Sequence, residues 1–499
     1  MEKRTLKILV LPLVVSMFLF VQNTLAQAVY EDERYVPETD PLVVERLAEW
    51  QDLKFGLLMH WGPYSQWGIV ESWSLCPEDY GWCVRTKGSG PQDYFTYKKE
   101  YENLKKTFNP VKFNPEKWAS AAKYAGMKYV VFTTKHHDGF SMFDSKFTDY
   151  KITDAETPFS THPKANITKE IFNSFRNEGM WAGAYFSKPD WHHENYWNPY
   201  FPPFDRNVNY DPGQYPDKWE KYVQFTQNQI LELLTDYGKV DILWLDGGWV
   251  QKRSNENLEQ NYDEKFRENV AANGFLKHRV VSQDIRMDEL VVKAREKQPG
   301  LIVVDRAVHG KNQNYLTPEN RVPEKPLPYP WESCIIAGGG WSYSFNAKYM
   351  SSRDAIHTLV DIVAKGGNLL LNIAPSPEGE WDEGAYQLLS EIGDWMAVNS
   401  EAIYGTKAME PYKFDNICLT SKADGTIYLI YLVGKEQENL PSKITFPNLS
   451  FPKNASIHVL GSNSQLIWSK NEAGIDINIP GNLKKSLLDK SAFVIKIKG

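Results

Sequence analysis

The sequence predicts an α/β protein: a (β/α)8-like barrel followed by a C-terminal antiparallel β-sandwich. Three observations carry that reading. Continuous apolar runs alternate with helix-like patterns up to about Gly405, as in a parallel sheet covered on both faces. Polar residues stand at the C-terminal ends of several of these runs, where barrels place their chemistry. Beyond Gly405 the pattern becomes period-two alternation between turn residues, which reads as a sandwich. The expected division is a signal peptide over 1–28, a barrel domain over 29–405 and a sandwich over 406–499.

The N-terminal segment combines a basic start, "MEKRTLK", an apolar run interrupted by Pro12, and the small residues of "QNTLAQA". That is the pattern of a secretory leader, and the run is too short to serve comfortably as a membrane span. Export to the periplasm or the medium is expected, with no membrane anchor. The strand candidates are "KFGLLMHWG" (Lys54–Gly62), "MKYVVFTTK" (Met127–Lys135), "MWAGAYFSK" (Met180–Lys188), "VDILWLD" (Val240–Asp246), "LIVVDR" (Leu301–Arg306) and "GNLLLNIAP" (Gly367–Pro375). Helix candidates lie between them. "PEKWASAAKYAG" opens on Pro and closes on Gly, "PDKWEKYVQFTQNQILELLTDYG" carries an apolar stripe and stops at Gly238, and "SSRDAIHTLVDIVAKGG" opens on Ser and closes on glycines. No Gly-x-Gly-x-x-Gly turn follows any strand, which weighs against a doubly wound dinucleotide fold. In the last hundred residues "NICLTSKADGTIYLIYLVG", "SKITFP", "SIHVLG", "QLIWSK" and "SAFVIKIKG" read as sandwich strands.

Composition narrows the function. The chain has 17 Trp, 27 Tyr and 24 Phe among 499 residues. Aromatic faces suit the C–H faces of sugars as well as a large core. Net charge is −7 for the whole chain and no basic cluster occurs, which excludes a nucleic-acid or anionic-membrane surface. Cys76 and Cys83 are close enough to bridge in an oxidising compartment, and four unpaired thiols are the equal alternative.

The candidate site follows from strand geometry. Val240, Ile242, Trp244 and Asp246 share one face of a strand. With Val240 and Ile242 facing the barrel interior, Trp244 and Asp246 reach its mouth. Gly247 and Gly248 then leave bare backbone where a ligand would approach the carboxylate. His60, the Lys135–Asp138 run, Ser187 and Arg306 hold the same relative position on other strands. A metal is not expected, because neighbouring His136 and His137 point to opposite strand faces and no His-x-His or His-x-x-x-His spacing occurs.

"FGLLMHWGPYSQWG", "KYVVFTTKHHDGFSMFDS", "ILWLDGGW" and "KGGNLLLNIAPSPEGEW", in that order, resemble the exo-α-L-fucosidases of glycoside hydrolase family 29, from about Leu53 to Gly405. The resemblance implies a barrel with a sandwich behind it, retaining cleavage of terminal α-L-fucosyl groups from oligosaccharides or glycoconjugates, and no cofactor. It makes Asp246 the nucleophile and gives substrate-binding roles to His60, His136, His137, Tyr185, Trp244, Arg306 and Trp341. The family's Glu-Trp pair has no clean counterpart in "VESWSLCPEDYGW", where Glu71 and Trp73 are the nearest equivalents. Two glutamates compete for the acid/base role: Glu319 in "NYLTPEN", which is favoured, and Glu332 in "YPWESC". An exo-α-L-galactosidase on the same scaffold is the closest rival, because L-galactose is L-fucose with a hydroxyl at C6. A catalytically dead sugar-binding barrel would have lost a catalytic carboxyl, whereas Asp246 and both glutamates are present. Oligomeric state is not legible.

Overall fold

The computed structural model describes residues 35–499 other than 91, 272–279, 448, 450, 453, 463 and 473, with side chains left out over 264–271. The expected leader lies outside the described residues. Seven parallel strands form the first sheet: β1 (Phe55–Met59), β2 (Tyr129–Lys135), β3 (Trp181–Ser187), β4 (Ile242–Asp246), β5 (Ile302–Asp305), β6 (Glu332–Ile336) and β7 (Asn368–Asn372). Their order is β5-β4-β3-β2-β1-β7-β6. The gap between β5 and β6 is crossed by residues 312–320. Asn314 donates from its N–H to the Val303 carbonyl at 2.9 Å, and the Glu332 and Cys334 N–H groups donate to the Leu316 and Pro318 carbonyls at 2.8 and 3.0 Å. This segment acts as a short, irregular eighth stave, so the curled sheet closes as a barrel.

Alternation along the strands sorts side chains into two layers. Leu58, Tyr129, Val131, Tyr185, Ile242, Trp244, Ile302, Val304, Cys334 and Leu370 pack together inside the cylinder. Leu57, Val130, Phe132, Leu243, Leu245, Val303, Leu369 and Leu371 pack outward, against helix residues such as Trp118, Ile171, Phe175, Leu233 and Leu359. Val240 belongs to the outer layer, contrary to expectation. It precedes β4, whose alternation starts at Ile242. The expected helices form at Pro115–Tyr124, Pro216–Asp236 and Ser352–Ala364. Asn114 and Ser351 cap two of them by accepting the Lys117 and Asp354 N–H groups, which satisfies donors the first helical turn leaves free.

The C-terminal strands are β8 (Lys407–Phe414), β9 (Ile417–Ser421), β10 (Ile427–Leu432), β11 (Lys443–Phe446), β12 (Ser456–Val459), β13 (Trp468–Asn471), β14 (Gly474–Asn478) and β15 (Ala492–Lys498). They form a five-stranded sheet, β12-β15-β10-β9-β8, and a three-stranded sheet, β11-β14-β13. Leu419, Leu429, Ile457 and Ile495 face Phe446 and Ile477 in the sandwich core. The alternate residues Cys418, Ile430 and Val494 join the barrel's outer cluster. Trp395 Nε1 donates to the Ala492 carbonyl at 2.8 Å across that junction. The four cysteines are buried and carry free thiols. Among the described residues no helix is long and apolar enough to cross a membrane.

Candidate active site

The C-terminal ends of the parallel strands surround a cavity of about 600 Å³, lined by His60, Glu71, Trp73, His136, Tyr185, Trp244, Asp246, Arg306, Glu319 and Trp341, with Trp82, Arg206, Trp249, Gln251 and Arg253 also on its wall. Asp246 closes β4 and is the best-supported anion in it. The Tyr185 hydroxyl donates to its Oδ2 at 2.7 Å, the Gly247 N–H donates to Oδ1 at 2.8 Å, and Arg306 Nη1 stands 3.4 Å from Oδ1. His137 Nε2 lies 3.9 Å from Oδ2. Burial alone would push the Asp246 carboxyl up. Arg306, His137, the phenol and the amide outweigh it and hold the group far below the ordinary carboxylate range.

Arg306 joins the two sides of the pocket. Its Nη2 is ion-paired with Glu319, while Nη1 faces Asp246 and Nε donates to Thr317 Oγ1 at 3.2 Å. Glu319 stands on the irregular stave, bridged to Cys334 of β6. Glu332 lies elsewhere. It is the first residue of β6, so the parallel direction puts it at the opposite end of the barrel, with no exposed surface. Its Oε2 accepts from the Tyr129 hydroxyl at 2.6 Å, and burial pushes its carboxyl up to about 7. It does not line the cavity.

The histidines are fixed from behind. His60 Nδ1 is 2.9 Å from Asn372 Oδ1, while Asn372 Nδ2 donates to the Trp341 carbonyl at 2.8 Å. That carbonyl assigns the amide orientation, so His60 carries its proton on Nδ1 and leaves Nε2 as an acceptor. His136 Nδ1 pairs with Ser72 Oγ at 2.6 Å and His137 Nδ1 with Ser187 Oγ at 2.8 Å. Burial lowers the pKa of all three rings, to about 4 for His60, to about 3 for His137 and well below the usual value for His136. At neutral pH they are uncharged hydrogen-bonding groups. His136, His137 and Asp246 offer ligand atoms within 4.8 Å of one another, and the Arg306 guanidinium, 3.4 Å from Asp246 Oδ1, is a cation already standing at that carboxylate.

Glu71 and Trp73 meet the site from a loop that resists sequence reading. Glu71 sits at φ 31°, a conformation side chains other than glycine rarely adopt. It is 2 % exposed with Oε1 unpartnered. Burial, together with the charges of Glu319 and Asp246, pushes its carboxyl up to about 8. Trp73 packs edge-on against His137 at 5.3 Å. Glu78, from the same stretch, serves Arg206 instead, through Nε contacts of 2.8 and 3.0 Å. Lys135 and Asp138 also turn from the cavity, Lys135 to Asp190 at 3.1 Å and Asp138 to the Tyr101 hydroxyl at 2.9 Å.

The glycines after Asp246 answer to packing as well as to ligand access, for Gly248 lines the cavity as expected. Gly247 has φ 85°, and a Cβ there would collide with the Pro189 ring. A Cβ on Gly248 would come within 2.8 Å of the Arg306 carbonyl. Packing of the loop against its neighbours demands both glycines before any ligand is considered.

Arg206, Trp249, Gln251 and Arg253 escaped the sequence reading because they stand on loops, and Trp82 because it stands in a three-residue 3-10 turn, Gly81–Cys83, too short to leave a periodic pattern. Asn372 is different. It ends the apolar run "GNLLLN" as the other rim residues end theirs, so the same signal applied to it.

Comparison with known proteins agrees with this geometry. The family description "Alpha-L-fucosidase" matches residues 22–401. An α-L-fucosidase of Dictyostelium discoideum is 26% identical over 475 residues, 90% of this chain and 89% of that protein. Human tissue α-L-fucosidase is 27% identical over 489 residues, covering 93% and 92%. The structure of α-L-fucosidase isoenzyme 1 from Paenibacillus thiaminolyticus superposes with a TM-score of 0.70 at 26% identity, over 92% of this chain and 99% of that one. A Thermotoga maritima α-fucosidase in complex with fucose shares the fold, with a TM-score of 0.68 at 23% identity over 93% of this chain and 100% of that one. Strand-end chemistry, barrel closure and sequence all lead to one assignment: the chain is a glycoside hydrolase of the α-L-fucosidase family, glycoside hydrolase family 29.

Proposed function

We propose that this protein is an exported, retaining exo-glycosidase that removes terminal α-L-fucosyl groups by double displacement, with Asp246 as nucleophile and Glu319 as acid/base. The observation that carries the reading is Arg306, which contacts both carboxylates in one cavity. A single guanidinium between them holds both carboxyl groups at one cavity, as double displacement at one glycosidic bond requires; retaining enzymes keep the two roughly 5–5.5 Å apart and inverting ones roughly 6.5–9.5 Å.

In the first step an Asp246 oxygen bonds to the anomeric carbon as the glycosidic C–O bond breaks. Glu319, entering this step in its protonated form, transfers that proton to the departing oxygen. The intermediate is a glycosyl ester of Asp246. In the second step Glu319 takes a proton from water, whose oxygen attacks the same carbon and frees the Asp246 carboxylate. Two inversions leave the α anomer. Neutral His60 accepts from a sugar hydroxyl through Nε2, protonated Glu71 donates to one, and Trp341 offers an apolar face. Glu332, shut inside the far end of the barrel, takes no part. The leader-like segment over 1–28 supports export to the periplasm or the medium.

A panel of aryl α-L-fucoside, α-L-galactoside and β-D-fucoside, with and without chelator, tests the reading. Chelator-insensitive release from the α-L-fucoside is expected, with α-L-fucose as the first product seen by proton NMR. Preference for the galactoside would convert the assignment to an α-L-galactosidase. A first-formed β anomer would refute double displacement, and no release from any substrate would point to a binding barrel.

A further inference from the structure

The cavity reaches beyond what one hexose needs, and its outer wall has its own charge. Of the three guanidinium groups on the wall, two are matched. Arg306 faces Asp246 and Glu319, and Arg206 is gripped by Glu78 and lies over Trp73 and Trp249, 4.7 and 5.1 Å from their ring centres. Arg253 has no carboxylate within ion-pairing distance among the described residues, and its Nε is buried without a hydrogen-bond partner. It extends the loop that follows Asp246, and its main-chain N–H is fixed to Ser282 Oγ at 2.9 Å. On the same wall Trp82 is 47% exposed and lies flat on Tyr80, at 4.6 Å and 4° between planes. That is a supported plate with one face open. The Arg253 Nε is shielded from water and lacks a partner among the described residues, while the residue as a whole is only half-buried, so a ligand can supply the missing acceptor. Its planar fork fits an oxyanion with two oxygens side by side.

We propose that Arg253 and Trp82 form a leaving-group subsite for a glycan carrying an anionic substituent close to the fucosyl residue: Trp82 stacks on a sugar face, and Arg253 pairs with a sulfate ester or a sialyl carboxylate. The inference rests on the fucosidase reading and adds the class of leaving group to it.

The test uses the full-length protein and four substrates. Three are fucosylated oligosaccharides of one backbone, neutral, sulfated and sialylated; the fourth is an aryl α-L-fucoside. Wild type should show kcat/KM about tenfold higher for an anionic oligosaccharide than for the neutral one, the scale of one charge-assisted contact. Salt should erode that ratio. Arg253→Gln should collapse it toward one, and Arg253→Lys should restore part of it. Preference for only the sulfated or only the sialylated arm identifies which oxyanion is read. Equal kcat/KM for all three oligosaccharides in wild type, or an undiminished ratio in Arg253→Gln, overturns the subsite while leaving the fucosidase reading intact. No turnover of the aryl α-L-fucoside overturns that reading, and the subsite with it.

Discussion

Asp246 and Glu332 are carboxylates at the ends of parallel strands in one cylinder, and the molecule treats them in opposite ways. Asp246 ends its strand and meets a guanidinium, a phenol and an amide N–H around an open cavity, so it stays ionised. Glu332 begins its strand and meets the Tyr129 phenol in a closed interior, so burial raises its carboxyl to about 7. Strand direction makes the difference. Every C-terminal strand end reaches the same rim, so charges gather where they can be matched and wetted. At the N-terminal end Glu332 lies among packed aromatic side chains with no cation beside it, where a carboxyl is cheaper to keep protonated. The sharpest break of this comparison is Asp246→Asn. It keeps the shape and removes the attacking charge, so kcat on an aryl α-L-fucoside should fall by about 10⁴-fold or more, as for nucleophiles elsewhere, while the melting temperature holds. Retention of turnover within about tenfold of wild type would show that the rim carboxylate does not attack.

The second break sets Glu319 against Glu332. Glu319→Ala should slow cleavage of poor leaving groups by about 10²–10⁴-fold. An aryl leaving group that departs without a proton should keep most of the first step, and azide should rescue the second. Glu332→Ala should do the reverse. Turnover per folded molecule stays near wild type, and stability drops by about 2–4 kcal/mol as the Tyr129 hydroxyl loses its acceptor and a void opens. Denaturant unfolding and steady-state kinetics on the same preparations separate the two effects. Exchange of the two phenotypes would reverse the assignment of acid/base.

The sequence carried the rim and lost the closure. Asp246, His60, His136 and Arg306 stood out because a polar residue ending an apolar run breaks the pattern of a buried strand. The choice between Glu319 and Glu332 stayed open because neither stands on a strand that periodicity reveals. β6 is only "ESCII", five residues opened by a glutamate, and the stave carrying Glu319 is held by backbone bonds without regular alternation. β8 and β14 were missed for a related reason: β8 is largely exposed and contains Pro411, and β14 is five residues opened by Gly474. Glu71 was legible as a residue near the site but not as a protonated one, since its state depends on a buried loop position and on Asp246 and Glu319 far away in the chain.

Glu71 also gives the smallest and most diagnostic effect. It is a third carboxyl at the rim but is treated as Glu332 is, by burial without a cation. Its ordinary value is 4.5 and its folded value about 8, so the folded protein binds this proton more tightly than the unfolded chain. The stability linked to it is complete below pH 4.5, declines as pH rises, and is gone above about 8. Function should follow the same sign. Below pH 8 the group is a neutral donor; above it, a new negative charge stands near Asp246 and Glu319 and no longer donates to a sugar hydroxyl. Wild-type kcat/KM should therefore fall through an alkaline limb centred near pH 8. Glu71→Gln keeps a neutral donor and cannot ionise, so it should cost only a few-fold at neutral pH and should erase that limb. If the limb persists unchanged in Glu71→Gln, another group titrates there, and the rim does not hold its third carboxyl in the way the floor holds Glu332.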